Sequence, residues 1–196
     1  MQNPAAARIV LASSSVYRQR LLDRLLDDYE TVSPHVDESA ESGEPAGLAP
    51  SLARKKAEAV SGSYRDALII GADQLAVLDG RVLGKPGDHQ KAVEQLLAAS
   101  GKTVEFLTAV CVLDPVEHKR YEHLDRTSVR FRSFDRRLVD AYLRHDEPYD
   151  CAGSFKIEGS GFVLFKSVTT DDPTALIGLP MIWLSGRLLE LGYLIP

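Results

Sequence analysis

The sequence predicts an α/β fold built on a mixed sheet, and three observations lead there. Short apolar runs alternate with amphipathic helical stretches along most of the chain. Hairpins interrupt that alternation, which a purely parallel sheet does not tolerate. The 196 residues, 44% of them hydrophobic, suffice for one sizeable core, with room for two lobes about a cleft. A single domain over residues 1–196 is therefore expected.

Arg8 to Ala12 reads as a short buried strand, followed by Ser13 to Ser15 and a helix whose apolar face is Leu21, Leu22, Leu25 and Leu26. Tyr29 to Val32 reads as a second strand, leaving as the loop "SPHVDES". The Gly-, Pro- and Glu-rich "ESGEPAGLAP" is linker-like and leads into the helix "SLARKKAEAV". "DALIIGAD" reads as a strand with an acid at its end, and "VLDGRVLG" as a hairpin in which Asp79-Gly80 suits a primed turn. Asp88 can cap a helix through Leu97, and Gly101 stands in the usual stop position.

"TVEFLTAVCVL" and "YEHLDRTSVRF" read as long strands, and "DRRLVDAYLRH" as a helix with Leu138, Tyr142 and Leu143 inward. "SGFVLFKSV" returns to strand. Pro180 opens the last helix at its first position, where proline lacks nothing the helix needs.

Charged residues make up 26% and the formal net charge is −5. An acidic total argues against coating a nucleic acid polymer or an anionic membrane, since both need a basic face. A small anionic ligand held by a local cluster of cations remains compatible with it. The two cysteines, Cys111 and Cys151, lie far apart with no ligand spacing, so a reduced, cytoplasmic setting is expected. The opening residues lack the apolar core of a signal peptide, no run is long enough to span a bilayer, and the five histidines form no zinc-binding pattern.

Two phosphate-binding patterns are imperfect. In "GRVLGKP" the glycines are one residue too close for a phosphate loop, and Pro86 stands where a metal-binding hydroxyl is needed. "GSGFVL" lacks a third glycine and precedes a strand, so it makes a poor dinucleotide fingerprint.

Other residues carry more. Ser13 to Ser15 precede a helix, where N-capping alone justifies one serine; the other reading is an anion pocket made of their hydroxyls, free N–H groups and Arg18. Arg18 and Arg20 stand where the helix macrodipole disfavours cations, at a cost of up to about 1 kcal/mol. A bound polyphosphate would reverse that sign. Asp37 and Glu38 lie in a loop and read either as solvated acids or as oxygen ligands for a hard cation such as Mg²⁺. Lys56 borders the apolar stripe of its helix, where a lysine either faces water or snorkels to a cleft edge. Asp73 ends an apolar run, either closing the strand as an Asx-turn or facing a ligand crevice, where it would bind a metal or take a proton from water. Lys85 follows a short hairpin later and can reach the same place.

In order, "LASSSVYRQRLL", "VDES", "LARKKA", "IIGADQ", "LGKP", "CAGSFKIEGSG" and "LIGLP" resemble the motifs of the Maf family, named for inhibition of septum formation. Any one of these is weak; seven in the correct order over nearly the whole chain are specific. The resemblance implies an elongated, twisted mixed sheet with flanking helices and two lobes around a central cleft. It also implies hydrolysis of a nucleoside triphosphate between the α and β phosphates, with Mg²⁺ or Mn²⁺. By motif position Asp73 would accept the proton, and Glu38 and Asp73 would hold the metal. Arg18, Lys56 and Lys85 would neutralise the triphosphate, with Ser13 nearby. A homodimer is expected on the same ground.

Two departures stand in the first motif, and only the second bears on the substrate. Val16 replaces a proline that only preorganises a helix start, and Tyr17 replaces the first arginine of a pair. Members that act on dTTP and UTP carry arginine, threonine and glutamine where this chain has Tyr17, Gln74 and Glu158. In those three positions the chain is similar instead to members that hydrolyse 7-methyl-GTP. The physical sense is direct: an aromatic face attracts the cationic ring of 7-methylguanine, and a carboxylate accepts from the N–H groups of guanine's Watson–Crick edge. A pyrimidine triphosphate pyrophosphatase and a non-catalytic regulator of septum formation stay open as alternatives.

Overall fold

The computed structural model of the chain describes residues 8–37 and 43–196. Its elements are β1 (Arg8–Ala12), α1 (Val16–Leu22), β2 (Glu30–Val32), α2 (Pro45–Ser61), β3 (Ala67–Leu78), β4 (Arg81–Leu83), α3 (His89–Ala99), β5 (Thr103–Asp114), β6 (Lys119–Phe131), α4 (Arg136–Asp146), β7 (Phe165–Thr169) and α5 (Met181–Glu190). The strands form one seven-stranded sheet in the order β2-β1-β3-β5-β6-β7, with β4 also on β3. β1 runs parallel to β2 and β3, whereas β4 is antiparallel to β3 and β7 to β6. The mixed sheet read from the sequence is therefore the one observed. The Asp79-Gly80 turn between β3 and β4 has both residues at positive φ, 50° and 77°, as a type I′ hairpin requires. Among the described residues no helix is long and apolar enough to cross a membrane.

The chain forms two compact units. One takes the described residues of Met1–Asp73, with Thr108–Asp125 and Asp172–Pro196; the other takes Gln74–Leu107 and Arg126–Asp171. In the first, the two-residue period of the strands sorts side chains to opposite faces. Ile9 and Leu11 of β1, Leu68, Ile70 and Ala72 of β3, and Val110 and Val112 of β5 share one core with Leu21 and Leu22 of α1 and Leu184 and Leu188 of α5. Gly71, an alternate residue of β3, meets α2 instead. In the second unit Phe106, Phe131, Phe155 and Phe165 pack edge to face, with ring centroids 4.8–5.8 Å apart. That is the spacing aromatic quadrupoles prefer.

Several expectations need correction. β3 does not stop at Asp73 but runs five residues further, so Asp73 is an interior strand residue. On one edge its ladder with β1 ends at Gly71 and that with β4 begins at Ala76, leaving Ala72 to Leu75 between the two pairings. α1 ends at Leu22, with Leu25 and Leu26 in the turn beyond. Arg20 consequently lies in the last turn of α1, where the macrodipole favours a cation.

α2 begins inside the linker-like stretch, with Pro45 in its first turn and Pro50 within the helix. Pro50 costs one backbone hydrogen bond, offset by the buried face of Ala49, Leu52, Ala53, Ala57 and Val60. In α4, Val139 rather than Leu138 faces inward. Gly161–Leu164 is a 3-10 turn, so β7 starts only at Phe165. Pro180 is the N-cap of α5 rather than its first residue, a shift within the ordinary uncertainty of helix ends.

Candidate active site

The site is organised by a glycine. A Cβ at Gly71 would lie 2.2 Å from the carbonyl oxygen of Ala53 and 2.7 Å from the amide nitrogen of Ala57. Only glycine permits the backbone of α2 to lie that close on β3. Asp73 is two residues on and therefore on the same face of the strand. Lys56, between the two contacting alanines' turns of α2, meets it there: its Nζ donates to Asp73 Oδ1 at 2.6 Å. Lys56 is 7% exposed and Asp73 5%. Of the Lys55–Lys56 pair, only Lys55 faces solvent. Charged residues are seldom this buried unless paired, and an ion pair out of water costs desolvation that a hydrophobic pair would avoid.

A second group lies in the same unit. Ser13 follows Ala12, whose strand partner is Gly71. Ser15 caps α1 by accepting from the Arg18 amide at 3.5 Å, and Ser13 Oγ accepts from the Ser15 amide at 3.1 Å. The Arg18 guanidinium crosses to the loop before α5, donating from Nε to the Gly178 carbonyl at 2.9 Å and from Nη1 to Ser13 Oγ at 3.4 Å. The "IGLP" segment thus holds a cation in place. Tyr17, the residue before Arg18, is half-buried.

The Gly178 loop is itself tied down by residues that the sequence did not single out. Asp172, 4% exposed, accepts from the Thr174 amide and hydroxyl at 2.9 and 2.6 Å and from the Ile182 amide at 2.7 Å. Thr174 Oγ1, whose single proton goes to Asp172 over the shorter distance, lies 2.9 Å from the Leu179 carbonyl oxygen and accepts from the Met181 amide at 2.9 Å. Thr108 Oγ1, fully buried, donates to the Ala175 carbonyl at 2.9 Å. "DDPT" before an apolar helix start was the available signal, since Asp two residues before Thr favours local turns to the backbone.

The other unit carries Gln74, Lys85 and Glu158. Gln74 is half-buried on β3; Lys85 and Glu158 are exposed. The register Ala76↔Leu83 sends the chain leaving β4 back along β3 in the direction of Gln74, and Lys85 stands two residues past Leu83. Its loop is fixed by Gln95 Nε2 donating to the Gly84 carbonyl at 3.1 Å and by the Gly87 amide donating to the Tyr149 carbonyl at 2.9 Å. It ends on Asp88, which caps α3 through the Lys91 amide at 2.8 Å; that bond holds its carboxyl below the usual aspartate range. The structure therefore joins Ser13 to Arg18 and Lys56 to Asp73. Glu38, the expected second acid, lies outside the described residues.

Asp73 is a hard oxygen donor, and among the described residues no three His, Cys, Asp or Glu side chains gather as a metal cage. Mg²⁺ binds through one or two carboxylates and completes its shell with water and substrate phosphates, so a single carboxylate such as Asp73 fits its donor preference.

An α/β protein with a buried lysine–aspartate pair and a tethered arginine beside a serine turn has the parts of an enzyme acting on a polyphosphate. The chain belongs to the Maf family: the family model described as "Maf-like protein" matches residues 8–191. Among its curated relatives, the 7-methyl-GTP pyrophosphatase of Xanthomonas axonopodis pv. citri is 49% identical over 190 residues, covering 96% of this chain and 99% of the relative. The proteins of the same name from Cupriavidus metallidurans and Pseudomonas aeruginosa are 45% and 46% identical, covering 98% and 96% of this chain and 98% of each relative. The solved structure of the Staphylococcus aureus Ham1 protein aligns with a TM-score of 0.46 at 17% identity, over 63% of this chain and 71% of that one.

Proposed function

We propose that this protein is a nucleoside triphosphate pyrophosphatase that hydrolyses 7-methyl-GTP to the monophosphate and pyrophosphate, clearing a modified nucleotide from the cytoplasmic pool. The observation that carries the reading is the buried Lys56–Asp73 pair, 2.6 Å apart, in a chain that shares 43–49% identity with relatives bearing that activity's name. Water adds to a phosphorus of the α–β anhydride, the bridging P–O bond breaks, pyrophosphate departs, and the proton of the attacking water passes to the Asp73 carboxylate. Lys56 orients that carboxylate. Arg18, Lys85 and Ser13 bind the triphosphate and stabilise the charge that develops on its oxygens, the main task in phosphoryl transfer. Asp73 and Glu38 would hold a divalent ion, Mg²⁺ or Mn²⁺, whose chemistry is to neutralise the phosphate oxygens.

Base selection is assigned to Tyr17, Gln74 and Glu158. Tyr17 stacks on the cationic methylated ring, Glu158 accepts from the N1–H and exocyclic amine of guanine, and Gln74 assists. A homodimer, expected on family grounds, is open to test by light scattering.

The test is pyrophosphate release across 7-methyl-GTP, GTP, dTTP and UTP, with and without Mg²⁺. Turnover should be highest on 7-methyl-GTP and depend on the metal. Asp73→Asn should lower kcat at least about 100-fold, the usual worth of a general base. Preference for dTTP or UTP would overturn the substrate, and unimpaired hydrolysis by Asp73→Asn would overturn the mechanism. A division phenotype that survives loss of hydrolysis would favour a regulator instead.

A further inference from the structure

We propose that the C-terminal end of α4 is a clamp that positions the loop bearing Glu158, so that Tyr142, Asp146 and Ser160 act as positioning residues for base selectivity. The inference rests on the assignment of Glu158 to the base.

The loop from Lys156 to Gly161 is held at both feet by one turn of helix. At its start, the Lys156 amide donates to Tyr142 Oη at 2.9 Å. At its end, the Ser160 amide and hydroxyl donate to Asp146 Oδ2 and Oδ1, each at 2.8 Å. The Asp146 side chain is only 6% exposed. The two anchors stand one helical turn apart on α4, and the Tyr142 phenol is pushed up chiefly by burial, with the Asp146 charge adding to it. Tyr142 therefore stays neutral, and its hydroxyl accepts from the Lys156 amide.

The Lys156 ammonium completes the grip. It donates to the Asp146 and Glu147 carbonyls at 3.1 and 3.3 Å, at the end of α4, where the last carbonyls have no helical partners and a cation is favoured. Within the loop, the Gly161 amide closes on the Lys156 carbonyl at 3.1 Å. Side chains at the two glycines would break the clamp. A Cβ at Gly159 would lie 2.6 Å from Asp146 Oδ2, and one at Gly161 would lie 2.3 Å from the Lys156 carbonyl oxygen.

Glu158 and Gly159, between the feet, are exposed. The clamp thus fixes the backbone of a segment that buries little of itself at this point. A carboxylate that must meet two donors on one base edge needs its backbone held to about 0.5 Å, and the two anchors supply that hold.

The experiment measures kcat and KM on 7-methyl-GTP and GTP for Tyr142→Phe, Ser160→Ala, Ser160→Thr and Glu158→Gln, with a melting curve for each. The 7-methyl-GTP over GTP ratio of kcat/KM should fall about tenfold in Tyr142→Phe and in Ser160→Ala, the scale of a sub-ångström misplacement. The loss should fall mainly on KM, and Ser160→Thr, which keeps the hydroxyl, should retain the ratio. If Glu158→Gln loses the ratio while Tyr142→Phe and Ser160→Ala keep it, the clamp is overturned and the base assignment stands. If Glu158→Gln keeps the ratio, the base assignment is overturned and the clamp's role with it.

Discussion

Gly71 and Lys56 show how a single residue can decide the site. The two matter to each other because α2 touches β3 at a glycine, and the lysine one turn along is thereby driven onto Asp73. Gly71→Ala must push α2 away from the strand. Such overpacking costs about 1–3 kcal/mol, and it should lower kcat by lengthening the Lys56–Asp73 contact while the protein stays folded. Thermal melts alongside single-turnover kinetics would check both effects; a variant with unaltered turnover would show that the contact is not needed. Asp73 was singled out in the sequence by its place at the end of "ALIIGA", but its partner was not. Nothing in "ARKKAE" distinguishes the exposed Lys55 from the buried Lys56. Arg18 was legible as a cation in the wrong half of a helix dipole. What offsets its charge, the Gly178 carbonyl 160 residues away, was not.

At the scale of elements, α5 and the loop before it depend on Asp172. Its carboxylate satisfies the Ile182 amide in the first turn of α5 and the Thr174 amide and hydroxyl in the loop. Asp172→Ala would leave those donors short of a partner in a buried place, at a cost of about 2 kcal/mol. It would also loosen the Gly178 carbonyl that Arg18 holds. The denaturant midpoint should therefore drop and KM for the triphosphate should rise together; a change in stability alone would mean that the loop does not position Arg18. Elements with strong local signals appear where the sequence puts them, as with the Asp88 cap and the Asp79-Gly80 hairpin. Misplaced ends share one cause. β3 continues past Asp73, and α2 starts within a proline-rich stretch, because strand pairing and a buried face outweigh local preference.

For the whole molecule, two cores of different character support the fold, an aliphatic one in the first unit and a phenylalanine cluster in the second. Alkaline pH probes the burial of neutral acids in both. Burial pushes the Cys111 thiol up to about 12 and, with Asp114 nearby, the Tyr193 phenol up to about 12; Tyr29 and Tyr142 are also raised, chiefly by burial. Folded groups with raised pKa values bind protons that the unfolded chain releases earlier. Their contribution is thus complete below about pH 8.5 and lost as pH climbs from there towards 12. Urea midpoints should be level up to pH 8 and decline between pH 9 and 10.5. Cys111→Ala should make the early part of that decline shallower, and a midpoint constant across the range would contradict these burial effects.

The sequence by itself determined the α/β class, the mixed sheet, most element positions and the order of motifs that places the chain in its family. These follow from hydrophobic period, turn chemistry and caps, which act over a few residues and can be read locally. Only the tertiary structure decided which of two adjacent lysines is buried, that Asp73 lies inside a strand, that Arg18 is tethered to the loop before α5, and that α4 grips the Glu158 loop. Each of these joins residues distant along the chain, and such contacts are fixed by close packing of whole elements, for which a local pattern carries no record.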